Sequence, residues 1–124
     1  MVFSLGQFDT PAINGVAIQT GFSLALACDF RIAAAGVRLG SATLRFGLLP
    51  DEGGQYLLVQ HLGLARALDF LMRKRIVTAE EALALGLVHE VVAPHDLESA
   101  ADALALEFAT GPQVAMRMLK RSVY

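Results

Sequence analysis

Cysteine and charge are both scarce in this chain of 124 residues, which holds one Cys and 18% charged residues against 55% apolar ones. The single thiol, Cys28, cannot close an internal disulfide. Its apolar helical surroundings suit a buried, inert thiol in a reducing compartment. Neither sign of charge dominates, and a net charge of −2 leaves no basic field for nucleic acid. Long apolar runs are missing too. Thr10 to Cys28 carries no charge, but Asn14, Gly15, Gln19 and Gly21 interrupt it, and a membrane span needs about twenty continuous apolar residues. Met1 to Leu5 is short and lacks the basic start of a signal peptide. No membrane contact is expected, and the cytoplasm is the expected location. His89 and His95 make no metal spacing with Cys28 or an Asp pair, so no metal site is expected. Repeats and low-complexity linkers are absent from the sequence.

What is there is apolar surface in excess of what an ordinary domain of this size carries. Either part of it meets another subunit, or the chain belongs to a larger fold. Ala12 to Ile18 reads as a strand broken at Asn14-Gly15. From Gly21 the period becomes helical, with Phe22, Ala25, Leu26 and Asp29 on one face and Leu24 and Cys28 beside it. That helix is apolar nearly all round and is predicted to be buried. A strand that turns into a helix at Gln19-Thr20-Gly21 leaves unpaired N–H groups facing a positive dipole end, a place for negative charge. Met1 to Thr10 shows no clear period.

Phe30 to Ala34 and Val37 to Gly40 read as short strands joined by Ala35-Gly36. Leu44 to Leu49 is apolar and ends at Pro50. Asp51 or Glu52 is predicted to open a helix carrying Tyr56, Leu57, Leu58 and Leu62. Gly63 ends it, and Leu64 to Met72 forms another with Leu64, Leu68 and Leu71 on one face. Thr78 with Glu81 is a capping box, and Gly86 stops its helix. Val88 to Val92 is a strand. Asp96 caps a helix with Leu97, Ala101, Leu104 and Phe108 on its inner face. Gly111-Pro112 ends that helix, with Pro112 at the first position of the next. Strands alternating with helices give an α/β class. About four short strands and an uncapped final helix read as a chain cut at both ends.

Five stretches, in order, carry a resemblance: AINGVAIQTGFSLALACDFRIAA, FGLLPDEGGQYLL, GLARALDFLM, TAEEALALGLVHEVV and GPQVAMRMLKRSV. Together they resemble the enoyl-CoA hydratase/isomerase (crotonase) family from about Pro11 to Val123. The resemblance implies a spiral of ββα turns over residues 1–110 and the start of a C-terminal helical, oligomerising region over 111–124. It implies acyl-CoA thioester substrates, coenzyme A being part of the substrate rather than a cofactor, and a homotrimer or hexamer. It also implies that a missing N-terminal half carries a first oxyanion N–H and much of the CoA surface. Pro11 lies closer to Asn14-Gly15 than the family has it.

In the family a second oxyanion donor is the middle glycine of a Gly-Gly-Gly run, and the matching residues here are Gln19, Thr20 and Gly21. The backbone N–H survives the change of side chain, so Thr20 is the expected donor, with Gln19 and Gly21 lining the turn; a plain helix cap at Thr20 stays open. The family's two hydratase glutamates fall at Ser23 and Thr43, neither of which is a general acid or base at neutral pH unaided. Double-bond isomerisation needs one carboxylate. Some family isomerases, and a dehalogenase branch, place it in the loop matching LLPDEGG. Asp51 is therefore the expected catalytic base, with Glu52 beside it, and an ordinary helix cap the alternative. Hydration, or a non-catalytic acyl-CoA-binding module that has lost its glutamates, stay open as further readings. A Ser23–His61–Asp51 triad lacks a nucleophile elbow, and His61 reads as a helix-surface residue. Arg73-Lys74-Arg75 reads as a solvated helix end, and Arg117, Lys120 and Arg121 as a possible phosphate contact.

Overall fold

A computed structural model describes residues 2–4, 8–50 and 52–124; Asp51 lies outside the described residues. The chain runs β1 (Val2–Ser4), β2 (Asp9–Ile13), β3 (Ala17–Ile18), α1 (Thr20–Ala27), β4 (Ile32–Ala34), β5 (Arg38–Gly40), α2 (Gly54–Leu62), α3 (Leu64–Met72), β6 (Ile76–Thr78), α4 (Ala79–Ala84), β7 (Glu90–Val92), α5 (Leu97–Ala109) and α6 (Gln113–Val123). Short 3-10 turns occupy Thr43–Phe46 and Pro94–Asp96.

Among the described residues two small sheets result, in the orders β1-β2-β4-β7 and β3-β5-β6. The first is parallel where it is buried. Ala12 pairs with Ile32, and Ile32, Ala33 and Ala34 pair with Glu90, Val91 and Val92. Ile32 and Ala33 are fully enclosed, as expected of a central parallel strand covered on both faces. Pro11 has no N–H to give, and it lies just before the β2–β4 register begins. The Met1–Thr10 stretch, without a readable period, supplies β1 and the start of β2, paired antiparallel through Val2 and Pro11. The strand break at Asn14-Gly15 is where the chain leaves one sheet for the other. Likewise β4 and β5, though only a turn apart at Ala35-Gly36, lie in different sheets. In each turn the two strands, β2 with β3 and β4 with β5, thus go to different sheets and a helix follows the pair, as the spiral of ββα turns implied by the resemblance requires. Gly40 permits the antiparallel β5–β6 pairing, because a Cβ there would strike the Arg75 carbonyl and Ile76 Cα.

The core sits between these sheets and the helices, with Phe70, Ile32, Leu39, Leu58, Leu87 and Val77 wholly enclosed. Burying a side chain such as Phe70 is worth about 1.5–3 kcal/mol. Phe70 on α3 stacks on Phe22 of α1 at 5.9 Å between ring centres, which fixes α1 against the helical layer.

Several helix faces differ from the pattern read above. On α1, Phe22, Ser23, Ala25 and Leu26 are buried but Leu24 is 63% exposed, so this helix is half-buried rather than enclosed. It ends at Ala27, before Asp29. On α3 the buried residues are Ala67 and Phe70, while Leu64 and Leu68 face outward, because the face is set by the Phe22 contact rather than by the leucines. On α2, Leu58 points in and Tyr56 out. That helix starts at Gly54, with Gly53 in a left-handed conformation as its N-cap, so Glu52 does not open it. Pro112 is the N-cap of α6, one position earlier than expected. The Thr78–Glu81 capping box forms with both reciprocal bonds.

Candidate active site

The helix α1 begins at Thr20, and Gln19 is its N-cap with φ 51° and ψ −108°. A non-glycine residue at positive φ costs on the order of 1–3 kcal/mol and persists only where its surroundings over-determine it. Gln19 is over-determined. Its N–H donates to the Gly40 carbonyl at 2.9 Å, and its carbonyl accepts from Ser23 N–H at 2.8 Å. Its side-chain Oε1 accepts from Ser41 Oγ (2.9 Å), Ala42 N–H (3.0 Å) and Thr43 N–H (3.2 Å). Two backbone donors identify that atom as the oxygen, which leaves the Nε2 group as donor. Nε2 donates to Glu52 Oε1 at 2.6 Å. A residue at a position where glycine would be strain-free has become the centre of a six-bond hub.

The same Glu52 oxygen accepts a hydrogen bond from Ser23 Oγ at 2.9 Å. Ser23 is buried, and Gly54 stands directly over it: a Cβ on Gly54 would collide with Ser23 Oγ. The missing side chain at Gly54 is therefore what lets the loop before α2 descend onto α1. Behind this contact, Gln19, Ser23, Ser41 and Gly54 line a hollow of about 10 Å³. That is scarcely room for one water, so the contact is closely packed from beneath. Thr20 and Gly21, by contrast, are exposed.

The structure therefore brings Gln19, Ser23, Thr43 and Glu52 together around the turn at Thr20-Gly21. Thr20 is the first helical residue and not the cap, so the cap alternative for it does not hold. Among the described residues its amide has no acceptor, as an N-terminal helix position leaves it. Thr43 Oγ1 is buried and, among the described residues, also lacks a hydrogen-bond partner. Ser41, buried and bonded to Gln19, was not singled out from sequence. Asp51, the expected base, lies outside the described residues, and so does its possible role as a cap.

Sequence reasoning also missed the opposite end of α1. Arg31 is 3% exposed, and its guanidinium donates to the carbonyls of Leu87 (2.7 Å), Cys28 (2.5 Å) and Ala25 (3.4 Å). A cation at the C-terminal end of a helix faces the negative end of the dipole. Burial pulls the Arg31 pKa down from its ordinary value. Arg31 N–H donates to His89 Nδ1 at 3.1 Å. His61 is half-buried, correcting its reading as a surface residue, and its Nε2–H donates to the Leu26 carbonyl at 2.9 Å. Burial lowers the pKa of both histidines. Cys28 is half-buried, with its thiol pKa raised mainly by burial. Lys120 is held by Asp29 at 2.6 Å rather than standing ready for a phosphate. Arg73 pairs with Asp69, and Arg75 lies over the Phe70 ring, so that basic stretch is only partly solvated. Among the described residues no group of His, Cys, Asp and Glu could hold a metal ion, and no helix is long and apolar enough to cross a membrane.

Comparison with known proteins agrees with this architecture. The family model described as enoyl-CoA hydratase/isomerase matches residues 10–124. A Mycobacterium tuberculosis protein named "Probable enoyl-CoA hydratase EchA17" is 39% identical over 112 residues, covering 90% of this chain and 43% of that protein. The crystal structure of an enoyl-CoA hydratase from Bacillus anthracis superposes with a TM-score of 0.89 at 38% identity, over 92% of this chain and 44% of that one. A monofunctional enoyl-CoA isomerase from M. smegmatis superposes with a TM-score of 0.81 at 36% identity, over 92% of this chain and 54% of that one. The chain thus spans less than half the length of such curated relatives. With five ordered motifs, the spiral of short strands and a model match over nearly the whole sequence, this chain belongs to the enoyl-CoA hydratase/isomerase family.

Proposed function

We propose that the chain serves acyl-CoA thioester chemistry through an enolate, and that this chemistry is double-bond isomerisation rather than hydration. The enolate oxygen would sit at the Thr20 N–H, where one well-placed donor is worth about 3–4 kcal/mol of barrier. The observation that carries the choice is the pair of hydroxyl residues, Ser23 and Thr43, where hydratases of this family have glutamates. Hydration needs a water held and activated by positioned acids. Isomerisation needs one carboxylate, and that of Glu52 lies at this turn. The Thr43 hydroxyl, without a partner among the described residues, is the kind of group that a bound substrate satisfies. No cofactor enters this scheme, because coenzyme A arrives as part of the substrate. Assembly as a homotrimer or hexamer belongs to the same reading. It is supported by the exposed apolar residues Val114, Met118, Leu119 and Val123 of α6.

Relatives named as hydratases favour the second reading, in which water adds across the double bond. Supplying the protein separately with 3-enoyl-CoA and 2-enoyl-CoA separates them. Migration of the double bond without 3-hydroxyacyl-CoA is expected. Formation of the hydroxy product overturns the choice, and tight binding of both thioesters without turnover would favour a binding module.

A further inference from the structure

The Glu52 carboxylate is held against Ser23, the residue of helix α1 that matches a family glutamate. Ser23, at the position of a family glutamate, is too short to reach into the site, yet its hydroxyl holds Glu52 Oε1 at 2.9 Å. Gln19 holds the same oxygen at 2.6 Å from the other side. Glu52 reaches this point from a different segment, 29 positions along the chain from Ser23. Its approach depends on Gly54, whose absent side chain leaves the space that Ser23 and Glu52 share. Three residue choices thus act in concert: a hydroxyl in place of an acid on α1, a strained glutamine at its cap, and an acid next to a glycine pair on the facing loop.

We infer that Glu52 is the acid/base residue of this site, a carboxylate relocated from α1 to the loop before α2 and held in place by Ser23 and Gln19. The inference rests on the isomerase reading above and names which carboxylate carries the proton. In the step it performs, the C2–H bond of a 3-enoyl thioester breaks and the proton passes to a Glu52 oxygen. The electron pair moves into the dienolate, whose oxygen lies at the Thr20 N–H. The Glu52 carboxylic acid then returns the proton to C4 as the C2–C3 double bond forms. Atoms and charge balance without a co-reactant, and Glu52 ends as it began.

The test is exchange of the C2 protons of a 3-enoyl-CoA in deuterated water, followed by NMR alongside isomerisation. Wild type, Glu52→Gln, Glu52→Asp and Asp51→Asn are compared. Glu52→Gln is expected to lose at least about a hundredfold in both rates, with Glu52→Asp recovering part of the loss and thermal melts superposing on wild type. The wild-type rate is expected to fall toward acid pH as the carboxylate protonates, and the residual Glu52→Gln rate to lack that limb. A Glu52→Gln protein within a few-fold of wild type, with Asp51→Asn the variant that fails, overturns the assignment and leaves the isomerase reading intact. A melt lowered in step with the rate, and an unchanged pH profile, assign Glu52 a structural role and overturn it as well. A wild type that binds the thioester but shows neither exchange nor isomerisation overturns both.

Discussion

The two ends of helix α1 are built on opposite plans. At the C-terminal end the carbonyls of Ala25, Cys28 and Leu87 converge on the buried Arg31 guanidinium, and the Leu26 carbonyl is taken by His61. At the N-terminal end the cap is strained, no side chain caps the helix, and the exposed Thr20 amide has no acceptor among the described residues. A closed end contributes stability and offers a ligand nothing. An open end leaves a donor without a partner in the free protein, which on the proposed reading a bound negative charge takes. On that reading the difference between the ends separates what holds this fold from what the fold is for.

If that division is right, substitutions at the open end cost rate and those at the closed end cost stability. The largest expected effect is at Thr20. Proline is tolerated at the first helical position and removes the N–H, although its ring also presses on Gln19 before it. Thr20→Pro is expected to slow isomerisation about 10²–10³-fold, while Thr20→Ala, which keeps the N–H, stays near wild type; steady-state kinetics beside thermal melts check both. Next is Arg31→Met, which leaves buried carbonyls without a donor at about 1–3 kcal/mol each. Denaturant titration is expected to show a lowered midpoint, with rates per folded molecule little changed.

The smallest effect is in pH. His61 and His89 both have folded pKa values below the ordinary 6.5, chiefly through burial. The unfolded chain therefore takes up protons near pH 6.5 while the folded chain does not, and stability falls as pH drops below that value. Melting temperatures measured from pH 7.5 to 5 are expected to decline, and replacing both histidines by glutamine to flatten the decline.

The local parts of this picture were legible in the sequence. The Thr78–Glu81 capping box, the bounds of α3 and the break at Asn14-Gly15 depend on neighbours a few positions apart, and each formed as read. The outward-facing Leu64 and Leu68 were not legible, because the inward face of α3 is chosen by Phe22, far off in sequence. Arg31 carries no local signal, since its acceptor at Leu87 lies 56 positions away. For the site, the motifs pointed to the turn at Gln19-Thr20-Gly21 and to Ser23, Thr43 and the Asp51-Glu52 loop, and the fold brings Gln19, Ser23, Thr43 and Glu52 together. They did not show that Gln19 ties these together, because an amide bonded across 22 to 33 positions leaves no periodic signal. They name Asp51 as the base with Glu52 beside it, and only the folded chain places the Glu52 carboxylate against Ser23.

The open end of α1 is tested most directly by the infrared carbonyl stretch of a bound acyl-CoA labelled with carbon-13 at the thioester. If the Thr20 N–H polarises that carbonyl, the band moves to lower frequency on binding and returns toward its free position in Thr20→Pro. A band that stays at its free frequency in the wild-type complex, or a shift that survives the loss of that N–H, contradicts the account.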